Sequence, residues 1–138
     1  MKIVLATHNK DKCAEMSALL SSFPIEILTL GDFPNIGEIT EDGETLEENA
    51  YIKARTVHTL TGFNAWADDS GLEVNALGGE PGIYSARYAG ENCSYLENVQ
   101  KLLHEMEHIP NNMRTAHFKT IIAFVGENME LVSKGVVK

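Results

Sequence analysis

The chain has 138 residues, 43% hydrophobic and 22% charged, which is long enough for one domain with a real core and ordinary for a globular protein. Its 20 acidic side chains against 11 basic ones give a net charge of −9, which disfavours nucleic acid and anionic membrane surfaces as partners. Cys13 and Cys93 are the only cysteines and form no CxxC, and no apolar run approaches a membrane span, so the expected setting is the reducing cytoplasm.

Ile3-Val4-Leu5-Ala6 reads as a buried strand. Cys13, Met16, Leu19 and Leu20 recur at helical spacing, predicting a helix from Lys10 to Ser21 that Pro24 ends. Ile25 to Leu30 alternates as a second strand, and the stretch from Gly31 to Gly43 reads as loop. Thr45-Leu46-Glu47-Glu48 has the pattern of a capping box, followed by Leu46, Ala50, Ala54, Val57 and Leu60 on one helical face and a stop at Thr61-Gly62.

Phe63 to Ala67 then forms a strand that delivers Asp68-Asp69-Ser70-Gly71. The Ser-Gly pair predicts a sharp turn, which puts the two aspartates at the lip of the sheet, with a short strand from Leu72 to Val74 after it. A second capping box, Ser94-Tyr95-Leu96-Glu97, opens a helix with Leu96, Val99, Leu102, Leu103 and Met106 on its apolar face. A long strand from Ala116 to Val125, a turn at Gly126-Glu127-Asn128 and a hairpin partner from Met129 to Val137 complete an α/β pattern.

Three clusters carry chemistry. Asp68 and Asp69 are adjacent carboxylates, which repel unless a proton or cation lies between them, and a hard cation such as Mg²⁺ is one resolution. Thr7-His8-Asn9-Lys10-Asp11-Lys12 follows the first strand and opens a helix, a junction whose free N–H groups suit phosphate. Thr7 or Asn9 acting as a plain N-cap explains the same residues. Glu41 to Ala50 crowds acids at a helix start. Glu41 is the one freest to reach a metal, and Lys53 either contacts a phosphate or pairs with an acid. A zinc site is not expected among the five histidines, and no serine or cysteine has a nucleophile-elbow context.

Together these segments resemble the inosine/xanthosine triphosphate pyrophosphatases. The resemblance rests on Ala6-Thr7-His8-Asn9 through Lys12, on Glu41 through Ala50 with Lys53-Ala54, and on Ala67 through Val74 continuing to Gly78-Gly79, Pro81-Gly82 and Ser85-Ala86-Arg87-Tyr88-Ala89-Gly90. It implies an α/β fold with a long central mixed sheet, flanking helices and two lobes around an active-site cleft. It implies a homodimer and Mg²⁺-dependent hydrolysis of a purine nucleoside triphosphate (ITP, dITP or XTP) to the monophosphate and pyrophosphate. Asp69 would be the proton acceptor, and Glu41, Asp69 and Asp68 the metal carboxylates. Thr7, His8, Asn9, Lys10, Asp11, Lys12, Lys53 and Ser70 would hold the substrate. The family's later motifs, Phe-Gly-Tyr-Asp and Ser-His-Arg, do not occur between Met1 and Lys138. The expectation is therefore a single domain that is C-terminally truncated, with an inactive nucleotide- or metal-binding fragment as the alternative.

Overall fold

In the computed structural model, which describes residues 1–138, the N-terminal run is β1 (Lys2–Leu5), and Ile3, Val4, Leu5 and Ala6 are buried. It lies parallel to β2 (Glu26–Thr29), with Ile3 opposite Ile27, and parallel to β3 (Asn64–Val74), with Leu5 opposite Trp66. Parallel neighbours need crossovers, and two helices precede the returning strands: α1 (Lys10–Leu19) before β2 and α2 (Leu46–Thr61) before β3. After α3 (Tyr95–Glu105) come β4 (Ala116–Gly126) and β5 (Met129–Val137), completing a mixed five-stranded sheet in the order β2-β1-β3-β4-β5. No helix is long and apolar enough to cross a membrane.

The chain divides into two compact units, Met1–Asp68 with Ile121–Ser133, and Asp69–Thr120 with Lys134–Lys138. The first holds most of the core. Leu46, Ala50, Ala54 and Val57 of α2 are buried, as are Val4, Leu5, Ala65, Ala67, Ile121 and Ala123. Burying each large aliphatic there contributes about 1.5–3 kcal/mol. Leu60, expected on the same helical face, is exposed because α2 is ending: Gly62 takes a left-handed φ of 74° and its N–H closes on the His58 carbonyl. α1 buries none of its residues, so its apolar spacing marks a partly covered surface helix, not a core one.

In the second unit Val74, Pro81 and Met106 are buried. The Ser94–Glu97 capping box forms as expected, with both reciprocal bonds made. The apolar face of α3 is buried only at its C-terminal end, at Met106: Leu96, Val99 and Leu103 are exposed, while Val99 and Leu102 line a hollow of about 410 Å³ with Leu72 and Phe118.

The largest departure from the sequence reading is at Ser70-Gly71. No turn forms there, and β3 runs unbroken from Asn64 to Val74. The glycine serves a different need, because a Cβ at Gly71 would sit 2.3 Å from the Gly82 carbonyl oxygen. Close backbone approach, not bending, demands a residue without a side chain. The aspartates therefore lie in the middle of a long strand and not at its lip.

An exposed bidentate pair joins α2 to β5, with Arg55 Nη2 at 2.7 Å and Nε at 3.0 Å from the two Glu130 carboxylate oxygens. The hydrogen bond from Arg55 holds the Glu130 carboxyl below the usual range, and the same bond raises the Arg55 guanidinium. A depressed carboxyl stabilises the fold above its unfolded pKa, and that stabilisation is lost as pH falls through the folded pKa. Glu130→Gln is therefore expected to lower Tm slightly at pH 7 and to leave it equal to the parent at pH 2. A gap between the two melts that persists unchanged in acid would contradict the pairing.

Candidate functional site

The loop after β1 lies at the carboxyl end of a parallel strand, where open α/β sheets place their ligands. Asn9 is the N-cap of α1: its side-chain oxygen accepts from the N–H groups of Asp11 (3.0 Å) and Lys12 (3.1 Å), while the Thr7 hydroxyl accepts from the Asn9 N–H. The capping alternative thus applies to Asn9, and it orders the whole loop. His8, Lys10 and Asp11 are exposed beside it, with His8 Nε2 3.4 Å from the Gly37 carbonyl oxygen. Lys12, fixed at the third position of the helix, reaches across to Asp68, with Nζ 2.7 Å from Oδ2.

The acidic loop before α2 is held by other means than the expected capping box. The Thr45 hydroxyl does accept from the Glu48 N–H, but the Glu48 carboxylate turns to the N–H of Glu44 at 2.6 Å instead of that of Thr45. Asn49 completes the anchoring. It is buried within the apolar stripe of α2, and its oxygen accepts from the Gly43 N–H at 2.8 Å. A Cβ at Gly43 would meet that same oxygen at 2.6 Å, so glycine is needed for the approach. A polar residue one place from Ala50 on a core-facing helix is the sequence signal for Asn49.

Anchored this way, Glu41 meets Lys53, with Nζ 3.2 Å from Oε1. The Lys53 ammonium also donates to the backbone carbonyl of Asp68. Lys53 therefore pairs with an acid, one in the preceding loop and not on its own helix. Asp68 is only 8% exposed, and a buried carboxylate needs its counter-ion. The nearby Cys13 thiol is pushed up, first by burial and then by the Asp68 charge. Within the first unit the structure thus assembles Lys12, Glu41, Lys53 and Asp68.

In the second unit Asp69 continues β3, with one of its carboxylate oxygens buried. Ser70 Oγ lies 2.9 Å from the Thr120 hydroxyl, and His117 Nε2 lies 2.7 Å from Glu73 Oε1. Arg87 stacks over Tyr84 and Lys101 over Tyr88, with Lys101 also donating to the Tyr88 carbonyl. Successive residues of an uninterrupted strand point to opposite faces. Asp68 and Asp69 therefore present their carboxylates to different faces of β3. What compensates Asp68 is Lys12. No group of three or more His, Cys, Asp or Glu side chains is gathered in a metal-ligating arrangement.

The Ham1 family model matches residues 3–138. A protein from Geobacter sulfurreducens named dITP/XTP pyrophosphatase is 52% identical over 122 residues, 88% of this chain and 61% of that protein. One of the same name from Vibrio parahaemolyticus is 53% identical over 124 residues, 90% of this chain and 62% of that protein. Among solved structures, the Ham1 protein of Staphylococcus aureus superposes with a TM-score of 0.88 at 38% identity, covering 99% of this chain and 70% of the other. A HAM1 protein from Coxiella burnetii does so with a TM-score of 0.91 at 40% identity and the same coverages. The chain thus spans about three fifths of the length of the two sequence relatives.

Proposed function

The chain belongs to the Ham1 family, and from that premise we propose that it hydrolyses non-standard purine nucleoside triphosphates, dITP, ITP and XTP, to the monophosphate and pyrophosphate. The observation that carries the reading is the cluster around β3: Asp68 and Asp69 in mid-strand, with Lys12, Lys53 and Glu41 assembled about the first of them. The names of the two sequence relatives supply the substrate class.

In this reading a water oxygen bonds to the α-phosphorus and the bond from that phosphorus to the bridging oxygen breaks. Pyrophosphate leaves, and the proton lost by the water goes to an oxygen of Asp69. The ordered loop orients the chain of phosphates, with Thr7, Asn9 and Lys12 presenting hydroxyl, amide and ammonium groups and His8, Lys10 and Asp11 flanking them. Lys53 places a second positive charge beside the same phosphates, and Ser70 adds a hydroxyl next to Asp69. Holding the reactants in place and stabilising charge supply most of the rate in phosphoryl chemistry.

The donor chemistry of Glu41 and Asp68, both hard oxygen ligands, suits a hard divalent cation, and Lys53 and Lys12 sit at 3.2 and 2.7 Å from those oxygens. Held by Glu41 and Asp68, Mg²⁺ would neutralise charge on the phosphates and acidify a bound water. A cytoplasmic homodimer completes the proposal. The second reading is a nucleotide- or metal-binding chain without turnover. Incubation with dITP, XTP and dATP in MgCl₂, with pyrophosphate measured, separates the two. Release from dITP and XTP in preference to dATP is expected. Nucleotide binding with no pyrophosphate would favour the second reading, and neither binding nor release would remove both.

A further inference from the structure

Asp68 and Glu41 of the first unit's cluster each carry an ammonium group. Lys12 Nζ sits 2.7 Å from Asp68 Oδ2, and Lys53 Nζ sits 3.2 Å from Glu41 Oε1 while also donating to the Asp68 carbonyl. One partner of each pair is shielded from water, Asp68 with its side chain 11% exposed and Lys53 at 12%, while Lys12 at 34% and Glu41 at 33% stay partly open. A divalent cation approaching the same oxygens meets two positive charges already in contact with them.

We infer that Lys12 and Lys53 are resident counter-ions that set the cation affinity of this site: the free protein rejects divalent metal, and metal enters with a polyphosphate that draws the two ammonium groups onto itself. The inference rests on the cation reading above and adds a role for the lysines that precedes their contact with phosphate. Both are suited to the exchange. A lysine is a compact charge on a flexible four-carbon stem, able to leave a carboxylate for a phosphate without movement of the helix that carries it. Lys12 lies in the first turn of α1 and Lys53 in the middle of α2, so the stems move while their backbones stay fixed. Metal and polyphosphate then raise each other's affinity by equal factors, as linkage requires.

The test uses Mn²⁺ alone, without nucleotide, with binding to the full chain followed by electron paramagnetic resonance. Lys53→Met keeps the apolar stem and removes the charge, and Lys12→Met does the same at a more exposed position that tolerates change. Circular dichroism and melting curves establish that each variant is folded. Each single variant is expected to bind Mn²⁺ at least about tenfold more tightly than the parent, as removal of one contacting like charge dictates. If the lysines are only struts, loss of Lys53 loosens the Glu41 loop and Mn²⁺ affinity stays level or falls, which overturns the inference while leaving the cation reading intact. If the parent and both variants bind no Mn²⁺ at all, the cation reading fails and the inference fails with it.

Discussion

Asp69→Asn is expected to lower kcat for dITP by about 10²–10⁴-fold, the range supplied by a positioned general base. The substitution preserves shape and replaces a basic oxygen with an amide that cannot take a proton. Asp69 lies within β3, an eleven-residue strand held by neighbours on both sides, so the far-UV circular dichroism spectrum should not change. Steady-state pyrophosphate release measures the effect. Asp68→Asn serves as the contrast. It removes the partner of Lys12 and should act first on KM and on metal affinity, because Asp68 is already neutralised by that lysine and is poorly placed to serve as a free base. Near-parental turnover in Asp69→Asn, or a larger kcat loss in Asp68→Asn, would reassign the base.

The second large effect is on stability. Gly71→Ala should destabilise the protein by about 3 kcal/mol, at the upper end of what overpacking costs, and lower Tm by about 10 °C. The added Cβ would lie 2.3 Å from the oxygen and 2.8 Å from the carbon of the Gly82 carbonyl. Both are backbone atoms, so no side chain can rotate away, and either β3 or the 3₁₀ segment Gly82–Arg87 must shift. The second unit has little buried apolar area with which to resist that shift. The displacement would also reach Ser70 and Asp69, so turnover should fall alongside Tm. Gly37→Ala is the control, because nothing lies within 4 Å of the added atom there and its melt should match the parent. Equal melting of the two variants would show that the close approach at Gly71 relaxes freely.

The position of the site within a chain of this kind is only partly a local matter. The Lys12–Asp68 contact spans 56 positions of sequence and the Glu41–Lys53 contact 12. No spacing rule connects such residues until β1 and β3 lie side by side. Composition and motif therefore mark Lys12, Lys53, Glu41 and Asp68 as candidates, yet leave open whether Lys53 meets phosphate or acid. By adjacency alone Asp68 and Asp69 read as a pair sharing one charge problem, and the continuity of β3 separates them.

What the amino-acid order determined alone was the set of elements whose causes lie within a few residues: β1 from its apolar run, α2 from its stripe and its Gly62 stop, the Ser94–Glu97 cap of α3, and the hairpin at Gly126-Glu127-Asn128. Each is decided by contacts at separations of about one to five positions, which a single sequence displays. What only the tertiary structure decided was the role of residues whose partners are remote. Gly71 reads as a turn until the Gly82 backbone is seen against it, and of the apolar face of α3 only Met106 is buried while Val99 and Leu102 line a hollow. The Thr45–Glu48 box is only half made, because Glu48 is drawn to the N–H of Glu44. Steric approach and charge pairing act through space, so the chain must fold before either can choose among the meanings that its local pattern allows.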